Sequence, residues 1–306
     1  MKRLLPLSTL VLAACSGSTT NDLDDPRDAG AQNITDAVVL DGAPRDAGGP
    51  PRDAGPRDAG PRDGGPRDGG TGPLADWCRG QPATFSFFVT SMEALWALSG
   101  DPIDDWAGGF GGDYGGIAGA DDICQQIAAA TGNGDRTWRA FLSATDDGNG
   151  NPVHAIERIG MGPWFDANGL MVASGIEGLL GDRPDGDPRT IDDLPNECGV
   201  PISALGDAHD IVTGSDQQGR LAGTNLQRTC NDWTSSDGNV GSNMRNGVMI
   251  GHSFPRNGRG GLNWMSDHAT RGCGKGANLL QDGPGSGTCI GCSGGFGGLY
   301  CFAVAP

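Results

Sequence analysis

The chain has 306 residues, of which 55 are glycine and 20 proline, and its formal charge is −17. So large a negative charge argues against nucleic acid, heparin-like polymers and anionic lipid headgroups as partners of the folded part. Proline and glycine are unevenly spread, which divides the chain into a leader, a repetitive segment and one domain long enough for a real core.

The leader opens with Lys2 and Arg3, continues with an apolar run from Leu4 to Ala14, and reaches Cys15. That run is too short to span a bilayer and reads as a signal peptide. Leu12-Ala13-Ala14-Cys15 resembles the lipobox of bacterial lipoproteins. The resemblance implies that residues 1–15 are a lipoprotein signal peptide ending at the lipobox cysteine, and that Cys15 is lipidated. It also implies a lipid-anchored protein of the cell envelope, at the outer membrane or cell surface, whose membrane contact is the anchor at Cys15. Residues 16–75 carry the pentad PRDAG or PRDGG, beginning at Pro26, Pro44, Pro51, Pro56, Pro61 and Pro66. With few large apolar residues the segment cannot offset the entropy of ordering, so it is expected to be a disordered linker. It would span roughly 40 Å as a flexible coil and at most about 190 Å as polyproline II.

Residues 76–306 read as one domain. Phe85–Thr90 (FSFFVT) is expected to be its first strand, and Gly100–Gly116 a loop. Ile123, Ile127 and Ala130/Thr131 recur at helical spacing, with Asp121 and Asp122 in the first turn and Gly132 as the stop. After Gly134 the period becomes two, and Trp138, Ala140 and Leu142 form the inward face of a strand. His154–Ile159 is expected as a helical turn, and Gly162–Ser174 as a hairpin turning at Asp166-Ala167-Asn168-Gly169. Asp182–Asp193 is an acidic loop, Ile211–Gly214 a strand, and Leu299–Val304 a final strand beside the first. Few helices among many short strands and long loops give an α+β fold class.

Three ordered blocks carry a resemblance: GGIAGADDICQQIAAATGNGDRTWRAFLS from Gly115, IVTGSDQQGRLAGTNLQRTCNDW from Ile211, and the terminal LYCF. They resemble endostatin-like domains, a branch of the C-type lectin fold, and are similar to a bacterial lipoprotein domain family of unassigned function. The implied domain is C-type lectin-like (endostatin-like), disulfide-stapled and loop-rich, with Trp233 in its core. Beyond Cys15 the cysteines are Cys78, Cys124, Cys198, Cys230, Cys273, Cys289, Cys292 and Cys301, an even set that after an export signal points to disulfides. The resemblance implies nested bridges Cys124–Cys301 and Cys230–Cys292; the other four cysteines allow three pairings, of which Cys273–Cys289 with Cys78–Cys198 is the one expected. The rival reading of Cys289-Ile-Gly-Cys292 is a zinc or redox motif.

Catalytic motifs are absent. His154, His209, His252 and His268 are scattered along the sequence outside any metalloprotease pattern, and Gly214-Ser215-Asp216 is not a nucleophile elbow. No P-loop or dinucleotide fingerprint occurs, so no enzyme is expected. Oxygen-rich loops at Asp146–Asn151, Asp182–Asp187 and Asp192–Glu197 make calcium the one cofactor to weigh, and otherwise none is expected. The candidate ligand-binding residues are Asp182, Asp185, Asp187, Asn196 and Glu197. Trp264 joins them as a sugar-stacking residue, with Trp106 and Trp164 as other exposed-aromatic candidates. Lectin calcium motifs are not met: Leu194 stands where a carboxylate is needed, and Asn231-Asp232-Trp233 is permuted. The zinc-holding histidines of endostatin have no counterpart near Trp77–Phe88. Arg245, Arg256, Arg259 and Arg271 are the only basic enrichment and read as a solvated loop. The expected function is a surface-anchored lipoprotein displaying a lectin-like binding domain for a carbohydrate or protein ligand. The alternative is an exported hydrolase or a structural envelope protein.

Overall fold

A computed structural model describes Cys78 and residues 84–103, 106–238, 247–256, 262–270, 272–280 and 288–305. The expected signal peptide with Cys15, the expected linker of residues 16–75, Arg245, Arg259 and Arg271 lie outside the described residues. Among the described residues no helix is long and apolar enough to cross a membrane.

The fold is mixed α and β. Its spine is the last strand, whose position follows from the preceding elements: β1 (Phe87–Val89), α1 (Met92–Ser99), α2 (Gly116–Ala130), β2 (Trp138–Ala140), the hairpin β3 (Trp164–Phe165) and β4 (Met171–Ala173), the short helices α3 (Ile176–Leu179) and α4 (Pro188–Ile191), then β5 (Asp210–Val212), β6 (Val248–His252), β7 (His268–Thr270), β8 (Gly274–Ala277), β9 (Cys289–Gly291) and β10 (Gly295–Ala303). All nine residues of β10 are buried. Its C-terminal half pairs antiparallel with β1, Phe88 opposite Cys301, and with β2, Ala140 opposite Cys301. Its N-terminal half runs parallel to β5, and β6 and β7 follow antiparallel. Strands β3–β4 and β8–β9 form two separate two-stranded sheets.

Aromatic residues fill the core around β10. Phe302 meets Phe87 at 4.9 Å and Trp164 at 5.2 Å between ring centroids, and Tyr300 meets Trp264 at 5.2 Å. Helix α2 buries Ile123, Cys124 and Ile127, as its spacing predicts. Its Asp121 reaches across to accept from the Ala140 N–H at 2.9 Å and from Arg139 and Arg158 at 2.7 and 2.6 Å. This ties the helix to β2.

Helix α1 was not expected, although its signals stand in the sequence. Ser91 caps it by accepting from the Ala94 N–H at 3.1 Å, and Gly100 closes it at φ 79°. A second departure is local. Cys230, Asn231, Asp232 and Trp233 form one left-handed turn with φ between 47° and 67°, a conformation that costs an L-residue about 1–2 kcal/mol. Asp232 holds the turn by accepting from the Thr145 N–H at 2.7 Å, the Thr145 hydroxyl at 2.6 Å and the Thr229 hydroxyl at 2.8 Å. Trp233, fully buried, donates to the Ser143 carbonyl at 2.8 Å.

Four disulfides staple this frame. Cys78–Cys198 and Cys124–Cys301 join the expected partners. The other two expectations, Cys230–Cys292 and Cys273–Cys289, are corrected: the bridges are Cys230–Cys273 and Cys289–Cys292. The reason is local geometry. The chain doubles back at Cys292, whose N–H donates to the Cys289 carbonyl at 3.2 Å, so these two cysteines meet before either can reach further. Gly112 donates to the Cys273 carbonyl at 2.8 Å, and a Cβ built on it would stand 2.3 Å from Cys230 Sγ. Only a glycine there lets the Cys230–Cys273 bridge close against Gly111 and Gly112.

Candidate metal centre

The sheet brings together what the sequence keeps apart. Asp210 on β5 stands opposite His252 on β6 in antiparallel register, and His268 on β7 stands opposite Ile250, two residues earlier on β6. Residues directly opposite, or two apart on one strand, share a face, so the three side chains point to the same side. His209 precedes β5, and its ring meets that of His252 edge-on at 4.4 Å. Asp210 Oδ1 lies 3.0 Å from His209 Nε2, 3.4 Å from His252 Nε2 and 3.3 Å from His268 Nε2.

The surroundings fix two of these groups from behind. Asp207 faces His209 Nδ1 at 2.8 Å and takes an ion pair from Arg256 at 2.9 Å. Because Asp207 can only accept, His209 Nδ1 carries a proton there, which leaves Nε2 as the ring nitrogen that faces Asp210. Arg183, half-buried, donates to the carbonyls of His252 at 2.6 Å, Ser253 at 2.7 Å and Ile191 at 2.7 Å, which pins the end of β6. Asp267 Oδ2 lies 3.6 Å from the same His252 Nε2.

Burial is deep except at one edge. The side chains of His209, Asp210 and His252 are 0–2% exposed, whereas that of His268 is 30% exposed. Burial alone would raise the Asp210 carboxyl, but the imidazoles of His209, His252 and His268 outweigh it and hold the group far below the ordinary carboxylate range. Burial likewise pulls the His268 imidazole down, and Asp210 outweighs that and leaves it raised. Neither Asp210 oxygen nor His209 Nε2 has a hydrogen bond of acceptable geometry. A buried carboxylate among three imidazoles is costly unless protons on those rings or a cation between them offset its charge.

These residues fit a divalent transition-metal ion. Bonds of about 2.0–2.1 Å to a tetrahedral zinc place neighbouring ligand atoms about 3.3 Å apart, and the three Asp210–histidine distances fall around that value. Imidazole nitrogen with one carboxylate is a ligand set for zinc, copper or nickel, whereas calcium takes oxygen ligands throughout. The pairing of His209 Nδ1 with Asp207 supplies the outer carboxylate that commonly orients a metal-bound histidine.

The expected ligand-binding residues do not converge. Asp182 contributes its backbone carbonyl to the Trp264 N–H at 3.0 Å. Asp185 accepts from the Ser174 N–H and hydroxyl at 2.8 and 2.5 Å. Asp187 caps α4 and pairs with Arg189, which holds its carboxyl low, at about 2. Asn196 accepts from the N–H groups of Cys198 and Val200 within its own turn. Glu197 is fully buried and accepts from the Ser91 hydroxyl at 2.5 Å and its N–H at 2.9 Å. Trp264 as a stacking platform is corrected: it is fully buried, donates to the Leu179 carbonyl at 2.9 Å and belongs to the core, as does Trp164. Trp106 is 55% exposed. In the Asp146–Asn151 loop both aspartates accept backbone N–H groups of the loop itself. His154 stands apart from the other histidines and accepts from the Leu221 N–H at 3.1 Å.

The histidine cluster is therefore the site that spacing missed. Its signal is faint but present: each of the three histidines closes or opens a short apolar run, in AHDIV, VMIGH and DHAT.

The fold and the cluster together define a disulfide-stapled α and β module with a buried three-histidine, one-aspartate group at a sheet edge. No protein-family model matches the chain, and a search of curated proteins returns no match.

Proposed function

We propose that this chain is a lipid-anchored lipoprotein of the cell envelope whose folded domain binds a divalent transition-metal ion, zinc foremost, without catalysing a reaction. The observation that carries the reading is the convergence of His209, Asp210, His252 and His268 on one point. Four protein ligands would complete a tetrahedral shell, the pattern of structural or holding sites, whereas catalytic zinc keeps a position open for water. The lipobox-like Leu12–Cys15 and the four disulfides support export to an oxidising compartment. A C-type lectin-like architecture is part of the proposal. Its support is the pairing of the first and last strands and the α2–β2 unit locked to β10 by Cys124–Cys301. The metal ion takes the place of a sugar as the proposed ligand, because the oxygen-rich loops are occupied with their own backbone and the tryptophan beside them is buried.

The test is a thermal melt of the metal-stripped, oxidised protein with zinc or calcium added. Zinc at 100 times its dissociation constant should stabilise the fold by about 2.7 kcal/mol. A shift with calcium and none with zinc would return the oxygen-rich loops to first place. A shift with neither would remove the metal reading.

A further inference from the structure

The bridge Cys289–Cys292 differs from the other three. Its cysteines are three residues apart in sequence, against 43, 120 and 177 for the rest. Restriction of the unfolded chain grows with loop length, so this bridge contributes least to stability. Both its cysteines are half-buried and open to solvent, whereas Cys124, Cys301, Cys230 and Cys273 are buried. Cys78–Cys198 shares the exposure but closes one of the long loops. The C-x-x-C spacing is also the one that thiol–disulfide exchange proteins use.

The turn that this bridge closes rests against the candidate metal centre. Gly294 donates to the Gly291 carbonyl at 3.1 Å and accepts from the Asp210 N–H at 2.9 Å. A Cβ built on Gly294, where φ is 122°, would stand 2.4 Å from His209 Cε1 and 3.0 Å from its Nδ1, so the turn is flush with the imidazole. Ser293 donates to the Thr270 hydroxyl at 3.1 Å, on the strand that carries His268. Asn278 holds the Cys292 carbonyl at 3.2 Å. The turn thus touches both outer strands of the centre, β5 and β7.

We propose that Cys289–Cys292 is a thiol–disulfide exchange site for small thiols, and that opening it weakens metal binding at His209 and Asp210. The second half rests on the metal reading above. In the exchange, a thiolate attacks one sulfur of the pair, forms a mixed disulfide and releases the other cysteine as thiolate. A second thiolate then attacks the external sulfur of the mixed disulfide. The products are one oxidised thiol dimer and two reduced cysteines, so two electrons pass from two thiols to the bridge.

The experiment uses the full chain, oxidised and loaded with zinc, equilibrated across a glutathione series. Alkylation at each cysteine is read by mass spectrometry, and free zinc by a chromogenic chelator. Cys289 and Cys292 should become alkylated at thiol levels that leave Cys124, Cys301, Cys230 and Cys273 protected, with zinc affinity falling by about 10-fold or more, in the range expected for a lost outer support. The Cys289→Ser/Cys292→Ser variant should show the weaker affinity without thiol and no further response to it. A bridge that opens only when the whole domain unfolds would overturn the exchange site. Selective opening with unchanged zinc affinity would overturn the coupling. Absence of zinc binding in the oxidised chain would overturn the metal reading and the coupling together, while alkylation still decides the exchange.

Discussion

Asp210 and His252 face each other across β5 and β6 in antiparallel register, and Asp210 Oδ1 lies 3.4 Å from His252 Nε2. A one-residue slip of β6 would turn His252 to the other face of the sheet and dismantle the cluster. Register is set partly by Arg183, whose guanidinium binds the His252 and Ser253 carbonyls. Replacing Arg183 by Met keeps most of the stem but removes four hydrogen bonds to backbone carbonyls, those of Ile191, His252, Ser253 and Leu262. The expected cost is about 3 kcal/mol or more, since bonds from charged groups contribute about 1.5–3 kcal/mol each and are not additive. Zinc affinity should fall as well, and urea denaturation with a metal titration reads both.

The outer carboxylate gives a second prediction. Asp207→Asn should lower zinc affinity by about 10–100-fold, because Asp207 fixes the tautomer and orientation of His209. Arg256→Gln, which leaves Asp207 in place, should have the smaller effect. Competition with a chelator of known affinity measures both variants.

Much of the frame was legible from residues alone. Ile123 and Ile127 place α2, the alternation around Trp138 places β2, and FSFFVT and LYCF mark the two strands that pair. These signals are local, and local period is what sequence shows. The metal centre is different in kind. His209, His252 and His268 are adjacent only because β5, β6 and β7 pair in one register, and glycine-rich stretches around β6 to β9 give no period from which that register can be read. The re-paired cysteines missed for the same reason: the turn at Cys292 and the close approach at Gly112 are three-dimensional facts. Helix α1, by contrast, carried a readable Ser91 cap and Gly100 stop.

Glu197 makes stability depend on pH. Burial pushes its carboxyl up to about 7 from 4.5, against the lowering effect of its two bonds from Ser91. Its folded pKa is therefore raised, so the native state holds the proton more tightly than the unfolded chain. The contribution is fully present below pH 4.5 and is lost as pH rises through about 7. Wild type should thus lose about 3 kcal/mol relative to Glu197→Gln between those limits. Denaturant melts of both proteins across that window check it, and parallel curves would contradict it.

The disulfides should rank by the chain they enclose. Removing Cys124–Cys301, which spans 177 residues, by paired alanine substitution should cost up to about 5 kcal/mol, against about 2 kcal/mol for Cys289–Cys292. Guanidinium melts of the two double variants give the comparison.

The most direct measurement is the metal content and coordination of the purified, oxidised protein after incubation with zinc and removal of excess, by elemental analysis and zinc X-ray absorption. One zinc per chain is expected, with imidazole nitrogens and a carboxylate oxygen at about 2.0–2.1 Å, and loss of that zinc in Asp210→Asn and His252→Ala variants that still fold. No bound zinc, or zinc retained in full by both variants, would contradict it.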